Sequence, residues 1–228
     1  MKRIISLAIL VACFMAAPAQ SRRSVSILGD SYSTFRDFVL PDSNAVWYPN
    51  EKRNAKGEGN DVQKVRQTWW QLFLRQGGFR LCVNNSFSGA TICKTGYKGE
   101  DYSNRSYVNR LRYLGSPDII IVFGGTNDTW AKSPIGDFKY SGWTDKDLYE
   151  FRPAMAYMLA QLLDRYPNTE LYIVINDILS KEVTASMKTI CEHYGVNYIL
   201  LHDIDKQWGH PSRLGMSQIA QQLGQVIK

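Results

Sequence analysis

The sequence predicts a doubly wound α/β sandwich with a mainly parallel five-stranded sheet. Three observations point to it: five short apolar runs rich in Val and Ile, longer stretches with helix-period apolar positions between them, and the alternation of the two along the chain. Short runs of this kind indicate buried strands, and strands that alternate with helices pair in parallel. The helices then cover both faces of the sheet.

Each apolar run is bounded by turn residues, as a buried strand is. The predicted strands are Val25–Leu28, Arg80–Val83, Asp118–Phe123, Glu170–Ile175 and Asn197–Leu201. The predicted helices are Val65–Arg75, Tyr107–Leu114, Thr144–Arg165, Lys181–His193 and Arg213–Ile227. Two polar stretches, residues 34–64 and 132–143, follow the carboxyl ends of predicted strands. Open α/β sheets bind ligands at that edge, so we expect these loops to border a functional site.

The first residues have the pattern of a secretory signal peptide. A basic pair at positions 2 and 3 precedes an apolar stretch too short to span a bilayer, and an Ala-Pro-Ala motif ends at Ala19. We expect residues 1–19 to be removed on export and residues 20–228 to form one domain. Leu10–Cys13 also resembles a lipoprotein cleavage box that would anchor Cys13, but the apolar residues after it favour cleavage after Ala19.

The composition narrows the class of partner. The formal net charge is +6, acidic residues are spread along the chain, and the sequence has no block of Lys or Arg. We therefore expect no nucleic-acid binding. Stable membrane insertion is not expected either, the expected partner is a small-molecule or glycan ester, and the oligomeric state is left open. No Cys and His spacing is typical of a metal site, and we expect no cofactor. Cys82, Cys93 and Cys191 are interpreted as buried thiols, with a Cys82–Cys93 disulfide as the alternative.

Three turns carry side chains suited to acyl transfer. Ser31 follows the first predicted strand in the turn Gly29-Asp30-Ser31, Asn127 follows the third after two glycines, and His210 precedes the last predicted helix. Acyl transfer needs a nucleophile, a base that moves its proton, and donors aimed at the developing oxyanion. Ser31, His210 and the Asn127 amide suit these three roles in that order. Taken singly, each also fits an ordinary turn or capping position.

A fourth turn follows the second predicted strand. It spans residues 84–91 and contains Gly89, whose backbone N–H can lie beside Ser31. The four turns together resemble the four sequence blocks of the SGNH/GDSL hydrolase family, which supply Ser, Gly, Asn and His in that order. Gly29–Ser33 resembles the first block, Gly89 the second, Gly124–Asp128 the third and His210-Pro211 the last.

The resemblance implies a fold, an activity and a set of site residues. The family fold is a flavodoxin-like three-layer α/β/α sandwich, in agreement with the pattern of strands and helices. The resemblance implies ester hydrolysis through an acyl-enzyme, with Ser31 as the nucleophile and His210 as the base. It also implies an oxyanion hole made of the Ser31 N–H, the Gly89 N–H and the Asn127 amide.

One position departs from the family pattern. The family usually places an aspartate three residues before the histidine to orient its imidazole, and here that residue is Gln207. We expect Asp205 to take this role, which would make it the third catalytic residue. A backbone carbonyl, Gln207 and Asp203 are the alternatives, because an uncharged group can also hold one tautomer of the ring.

Aromatic residues in predicted loops indicate the class of ester. Trp130, Tyr140, Trp143 and Trp208 are predicted to bind substrate, and Trp47-Tyr48 lies in another loop at the same edge. Flat aromatic side chains suit stacking on sugar rings or packing of an acyl chain. Together with the export signal, they favour removal of a small acyl group, such as acetyl, from a carbohydrate. The alternatives are a lipid or thioester acylhydrolase and a non-catalytic carbohydrate-binding protein on the same scaffold.

Overall fold

A five-stranded parallel sheet forms the centre of the molecule, whose computed structural model describes residues 22–50 and 59–228. The strands are β1 (Ser24–Gly29), β2 (Arg80–Ser86), β3 (Ile119–Gly124), β4 (Glu170–Ile175) and β5 (Asn197–Leu200). Their spatial order is β2-β1-β3-β4-β5, and every neighbouring pair is parallel. The predicted α/β class and all five predicted strands are confirmed.

Six α-helices flank the sheet in the described part of the chain. They are α1 (Trp69–Gly77), α2 (Tyr107–Arg110), α3 (Thr126–Ala131), α4 (Phe151–Arg165), α5 (Lys181–Tyr194) and α6 (Arg213–Val226). A short antiparallel hairpin of β6 (Lys206–Gln207) and β7 (His210–Pro211) precedes α6. The predicted signal peptide and Cys13 lie outside the described residues.

The alternation of side chains along the strands divides the core into two layers. In β3, Ile119, Ile121 and Phe123 pack with residues of α1 and α6, whereas Ile120 and Val122 pack with residues of α2, α4 and α5. Successive side chains of a strand point to opposite faces, so a strand that is apolar throughout must be covered on both. The result is the three-layer sandwich that the sequence predicted.

Two predicted helices begin later than their apolar pattern indicates. Val65–Gln67 is a short 3₁₀ helix, and α1 begins after Thr68, which is extended (φ −69°, ψ 149°) and caps the first turn of α1 with its side chain. Lys146–Tyr149 is likewise a 3₁₀ helix, separated from α4 by the extended Glu150. In each case one extended residue separates the 3₁₀ turn from the α-helix that follows, and Thr68 also caps its helix through a side-chain hydrogen bond.

Other local elements have no counterpart in the sequence prediction. Helix α3 and the β6–β7 hairpin fall in stretches predicted as loops, and α2 is shorter than the helix predicted over Tyr107–Leu114. These elements are too short for hydrophobic periodicity to reveal them.

The topology marks one point on the sheet as the place for a site. Strand β1 pairs with β2 on one side and with β3 on the other. The order of strands along the chain therefore reverses its direction across the sheet at β1. Such a switch point opens a crevice at the carboxyl ends of the strands. Gly29 and Gly124, the last residues of β1 and β3, both lie at this edge.

The three cysteines within the described residues are free thiols. Cys82 is half-buried, and Cys93 and Cys191 are buried, and none of the three is in a disulfide. The alternative of a Cys82–Cys93 bridge is therefore wrong. Within residues 22–50 and 59–228, no helix has the length and apolar character needed to cross a membrane.

Candidate active site

Ser31 lies in a tight turn at the carboxyl end of β1. It begins a one-turn 3₁₀ helix, Ser31–Ser33, and the side chain of Asp30 caps that turn by accepting the Tyr32 N–H at 3.0 Å. A Cβ atom on Gly29 would lie 2.6 Å from Ser86 Oγ, so only glycine fits there. The turn holds the Ser31 side chain at the sheet edge, where it is only 2% exposed.

The His210 ring lies against the Ser31 hydroxyl. The distance from His210 Nε2 to Ser31 Oγ is 2.9 Å, and the distance from His210 Nδ1 to the carbonyl oxygen of Trp208 is 3.1 Å. A carbonyl oxygen only accepts, so Nδ1 carries a hydrogen and donates a hydrogen bond to the Trp208 carbonyl. The lone pair on Nε2 is then free to accept the serine proton.

The hairpin between β6 and β7 sets this geometry. Gln207 pairs with His210, and the two residues between them, Trp208 and Gly209, both have positive φ, 61° and 71°. Two positive φ values in a two-residue loop are the mark of a type I′ turn. This turn folds the Trp208 carbonyl back onto the ring of His210.

Side chains from the turn and the long loop after β1 hold the histidine segment in place. Tyr32 donates its hydroxyl to the Gly209 carbonyl at 2.5 Å, and Tyr48 donates to the Pro211 carbonyl at 2.7 Å. Both tyrosines are fully buried. The backbone on either side of His210 is therefore fixed by hydrogen bonds that secondary structure does not supply.

Aromatic rings surround the imidazole. Trp47 stacks on it with ring centroids 3.8 Å apart and an interplanar angle of 7°, and Trp130 approaches at 5.8 Å with an angle of 61°. His210 is 8% exposed. Burial lowers the pKa of His210 to about 4, and the hydrogen bond to the Trp208 carbonyl opposes this only in part. The ring is therefore neutral near pH 7, as a base must be.

Two backbone N–H groups lie free at this edge. Gly89 has φ 82° in a turn that the Ala90 N–H closes onto the Phe87 carbonyl at 3.1 Å. In the portion of the chain that the structure describes, neither the Gly89 N–H nor the Ser31 N–H has a hydrogen-bond partner. Both are available as donors to a bound oxyanion.

The Asn127 amide is oriented from both ends. Tyr97 donates its hydroxyl to Asn127 Oδ1 at 2.9 Å, and Asn127 Nδ2 donates to the Ala90 carbonyl at 3.0 Å. Gly125, with φ 90°, starts helix α3 and brings Asn127 to the end of β3. An amide nitrogen has two hydrogens, so one remains for a ligand.

Ionisable groups are buried beneath the serine turn. Asp128 accepts the backbone N–H groups of Ile92 and Cys93, which ties helix α3 to the loop after β2. Arg110 donates to the Gly29 carbonyl at 3.1 Å. Burial raises the pKa of Asp30 to about 7 and that of Asp128 to about 6. These groups brace the turns that carry the site.

Asp205 lies elsewhere than predicted. Its carboxylate accepts the hydroxyl of Ser212, the residue that caps α6, and its own N–H donates to Gln218. Gln207 accepts the N–H of Asp61 through its side chain. The expectation that Asp205 orients the His210 ring is therefore corrected, because the Trp208 carbonyl holds that ring nitrogen. This backbone carbonyl was one of the alternatives that the sequence left open.

The four aromatic residues predicted to bind substrate divide into two pairs. Trp130 lies beside His210, and Trp208, which is 48% exposed, contributes its carbonyl there. Tyr140 instead stacks on His193, near the end of α5, at 3.7 Å. Helix α5 leads directly into β5, so its end lies at the opposite edge of the sheet.

Trp143 also packs away from the serine turn. Its indole meets Tyr157 of α4 edge-on at 5.6 Å and donates to the Lys139 carbonyl at 2.9 Å. The structure therefore places the rings of Tyr140 and Trp143 against α5 and α4 and not beside His210. Loop composition identified aromatic residues but not the face of the molecule to which each loop returns.

Several residues of the site carry no signal that sequence reasoning assigned to it. No sequence pattern marks Tyr32 or Tyr97 as a site residue, and the pattern that places Trp47-Tyr48 at this edge does not predict a contact with His210. Position offered the clue for Tyr32, which directly follows the serine. Within the described residues, no group of three or more His, Cys, Asp or Glu side chains could hold a metal ion.

Comparison with known proteins extends over nearly the whole described chain. The family model for GDSL-like lipase/acylhydrolase matches residues 23–227. A crystal structure named as a GDSL-like lipase from Bacteroides ovatus is 55% identical, with a TM-score of 0.87 over 90% of this chain and 98% of that chain. A second, from Bacteroides uniformis, is 54% identical, with a TM-score of 0.87 over 91% of this chain and 96% of that chain.

More distant structures share the fold. A carbohydrate acetylesterase from Sinorhizobium meliloti is 15% identical, with a TM-score of 0.60 over 90% of this chain and 97% of that chain. No curated protein matches the chain in sequence.

Proposed function

The chain belongs to the GDSL-like lipase/acylhydrolase family, and from that premise we propose that it is an exported serine esterase that removes acetyl groups from carbohydrate. One observation carries the catalytic part of the proposal, the 2.9 Å contact between Ser31 Oγ and the Nε2 atom of a buried, neutral His210. A serine hydroxyl that donates to a neutral imidazole is an activated nucleophile.

In the first step, Ser31 forms the acyl-enzyme. Its oxygen attacks the ester carbonyl carbon while its proton passes to His210 Nε2. The carbonyl oxygen becomes an oxyanion, which the Ser31 N–H, the Gly89 N–H and the free Asn127 amide hydrogen stabilise. His210 then returns the proton to the departing alkoxide oxygen, and the sugar hydroxyl leaves.

In the second step, water releases the acyl group. His210 takes a proton from water as the water oxygen attacks the acyl carbon, and the same donors hold the second oxyanion. Collapse of this intermediate returns the proton to Ser31 Oγ and liberates the acid. Because the ring is pinned at Nδ1 by the Trp208 carbonyl, its Nε2 faces the reacting atoms in both steps.

Exposed aromatic rings beside the base support a carbohydrate substrate. Trp130 is 38% exposed and Trp208 is 48% exposed, and both belong to segments that contact His210. Half-exposed indole faces suit stacking on sugar rings. Carbohydrate esterases of this fold exist at low sequence identity, which makes the chemistry feasible on the scaffold.

A series of p-nitrophenyl esters from acetate to palmitate tests the acyl group. We expect the highest kcat/KM for acetate and a steady decline with chain length. Higher values for long chains would favour the alternative, a lipid acylhydrolase. Acetate release from an acetylated oligosaccharide, with Ser31→Ala as the control, tests the carbohydrate part.

An activity-based fluorophosphonate probe tests the nucleophile. We expect covalent labelling of the wild-type protein and none of Ser31→Ala. An unlabelled wild-type protein that still binds glycans would favour the alternative of a non-catalytic binding protein.

The proposal also includes export after cleavage of residues 1–19. We expect N-terminal sequencing of the exported protein to give Gln20 as its first residue. A product that begins at a lipidated Cys13 would contradict this and indicate a membrane anchor.

A further inference from the structure

The His210 ring gains a positive charge in each step, and a neutral group faces its far nitrogen. The Trp208 carbonyl at 3.1 Å accepts from Nδ1, where a triad has a carboxylate. Within the described residues, no Asp or Glu side chain is hydrogen-bonded to the ring. A group that favours the imidazolium would therefore lower the barrier, since a buried charge without a carboxylate partner is costly.

The indole of Trp47 covers one face of the ring. The two ring planes are nearly parallel, at 7°, and their centroids are 3.8 Å apart. The backbone of Trp47 is anchored, because its N–H donates to Thr34 Oγ1 at 2.9 Å. The Thr34 hydroxyl donates in turn to the Ser31 carbonyl at 3.0 Å. The stack is thus tied to the same turn that carries the nucleophile.

The face of an indole attracts a cation more strongly than it attracts a neutral ring. The attraction comes from the negative face of the aromatic quadrupole, and it is strongest for tryptophan among the aromatic residues. The effect grows when the pair is withdrawn from water, and His210 is 8% exposed. An interaction that strengthens only when the imidazolium forms lowers the barrier of the chemical step.

We propose that the Trp47 indole stabilises the His210 imidazolium by a face-on cation–π interaction, in the role that a carboxylate has in a triad. The proposal rests on the proposed serine esterase mechanism and assigns Trp47 as a positioning residue that acts through His210. The interaction explains how His210 can act as the base although its Nδ1 atom is hydrogen-bonded to an uncharged carbonyl.

The other aromatic groups around the His210 ring supply neither a negative charge nor a stacked face that would stabilise the imidazolium. Tyr32 lies at 5.3 Å and Tyr48 at 6.4 Å between ring centroids, and burial raises the pKa of both above the ordinary value, so both are neutral. Trp130 is at 5.8 Å with an angle of 61°, so it is not stacked. Trp47 is the parallel neighbour among the described residues.

Fluorinated tryptophan tests the proposal without changing the shape of the stack. Fluorine withdraws electron density from the indole face, so protein made with mono-, di- and trifluorotryptophan should lose kcat in steps. The acid limb of kcat/KM should move to lower pH in the same order, because a weaker face lowers the pKa of His210. A packing role would move neither quantity.

Two variants, each with one tryptophan replaced by phenylalanine, serve as the matched controls. Fluorination should lower kcat in Trp143→Phe as in wild type, since Trp143 packs on Tyr157. In Trp47→Phe the fluorination effect should largely disappear. An equal effect in Trp47→Phe, or none in wild type, would overturn the proposal.

Substitution of Trp47 gives an independent measure. We expect Trp47→Leu to lower kcat about tenfold with a smaller change in KM, and Trp47→Phe to recover part of that loss. Circular dichroism and a thermal melt check the fold, and the fluorination series decides the matter if Trp47→Leu is unfolded.

Ser31→Ala separates this proposal from the catalytic one. Full activity in Ser31→Ala would refute the serine mechanism whatever Trp47 does. An inactive Ser31→Ala, together with wild-type kcat and pH profile in Trp47→Leu, would refute the role of Trp47 alone.

Discussion

In the proposed mechanism the Asn127 amide has both a structural and a catalytic task. Tyr97 and the Ala90 carbonyl fix its orientation, and one N–H is left to donate to the oxyanion. We expect Asn127→Ala to slow turnover by about two to three orders of magnitude, or about 3 kcal/mol of barrier, with little change in KM. Tyr97→Phe keeps the amide and should lose less. Near-normal turnover in Asn127→Ala would remove this donor from the mechanism.

The pH dependence of the reaction follows from the burial of His210. Burial lowers its pKa from 6.5 to about 4, and only the neutral ring accepts the serine proton. We expect kcat/KM for p-nitrophenyl acetate to be flat from about pH 5 to pH 7 and to fall to half near pH 4. A half-maximal point near pH 6.5 would show a solvated ring in the working enzyme.

Asp205 stabilises the start of α6 rather than the base. Its carboxylate accepts the Ser212 hydroxyl, and Ser212 Oγ accepts the Gly215 N–H at the helix start. We expect Asp205→Asn to keep the wild-type turnover and to lower the free energy of unfolding by about 0.5–1 kcal/mol. Steady-state kinetics and urea denaturation measure the two effects. A loss of turnover by about two orders of magnitude would restore Asp205 to the triad.

At the scale of elements, the β6–β7 hairpin is the part of the fold on which the base depends. Its turn needs positive φ at Trp208 and Gly209. His210 lies in this hairpin and not in an α-helix or in the central sheet. We expect Gly209→Ala to destabilise the protein by about 1 kcal/mol through strain at φ 71° and also to lower kcat.

Gly142 offers a matched control for that substitution. It has φ 62° and no atom within 4 Å of an added Cβ, and it lies in the loop over 132–143. Gly142→Ala should show a similar loss of stability in a thermal melt with unchanged kcat. Equal kinetic effects of the two variants would mean that the turn does not position the base.

At the scale of the whole molecule, buried carboxyl groups under the sheet edge link stability to pH. Burial, assisted by the nearby negative charge of Asp128, raises the pKa of Asp30 from 3.8 to about 7. The folded state therefore binds a proton more tightly than the unfolded chain does. The stability from this group is fully present below pH 3.8 and is lost as the pH rises through about 7.

Asp30→Asn tests this linkage, since an amide is a neutral mimic of the protonated acid. We expect urea denaturation to show that wild type loses more stability than Asp30→Asn between about pH 4.5 and pH 8. His210 acts in the opposite direction, because its lowered pKa favours the folded state above pH 6.5, and both proteins share that contribution. Parallel stability curves for the two proteins would contradict the raised pKa of Asp30.

Much of this molecule could be predicted because the relevant physics is local. An apolar run such as Ile119–Gly124 has to be a buried strand, and Gly29 before Asp30-Ser31 has to be a tight turn. Strands that alternate with helices leave few arrangements other than a parallel sheet with two covered faces. Ser31, Gly89, Asn127 and His210 could be singled out as candidates without coordinates, from their turns together and from the resemblance of those turns to the four blocks of the family.

Only the tertiary structure decided what surrounds the base. Ser31 and His210 are 179 residues apart, and the partner of Nδ1 is a backbone carbonyl, which every residue has and no sequence pattern marks. The stack of Trp47 on His210 likewise joins loops that are distant in the chain. Side-chain type determined which residues can do the chemistry, whereas long-range packing determined that Trp47 reached the ring and Asp205 did not.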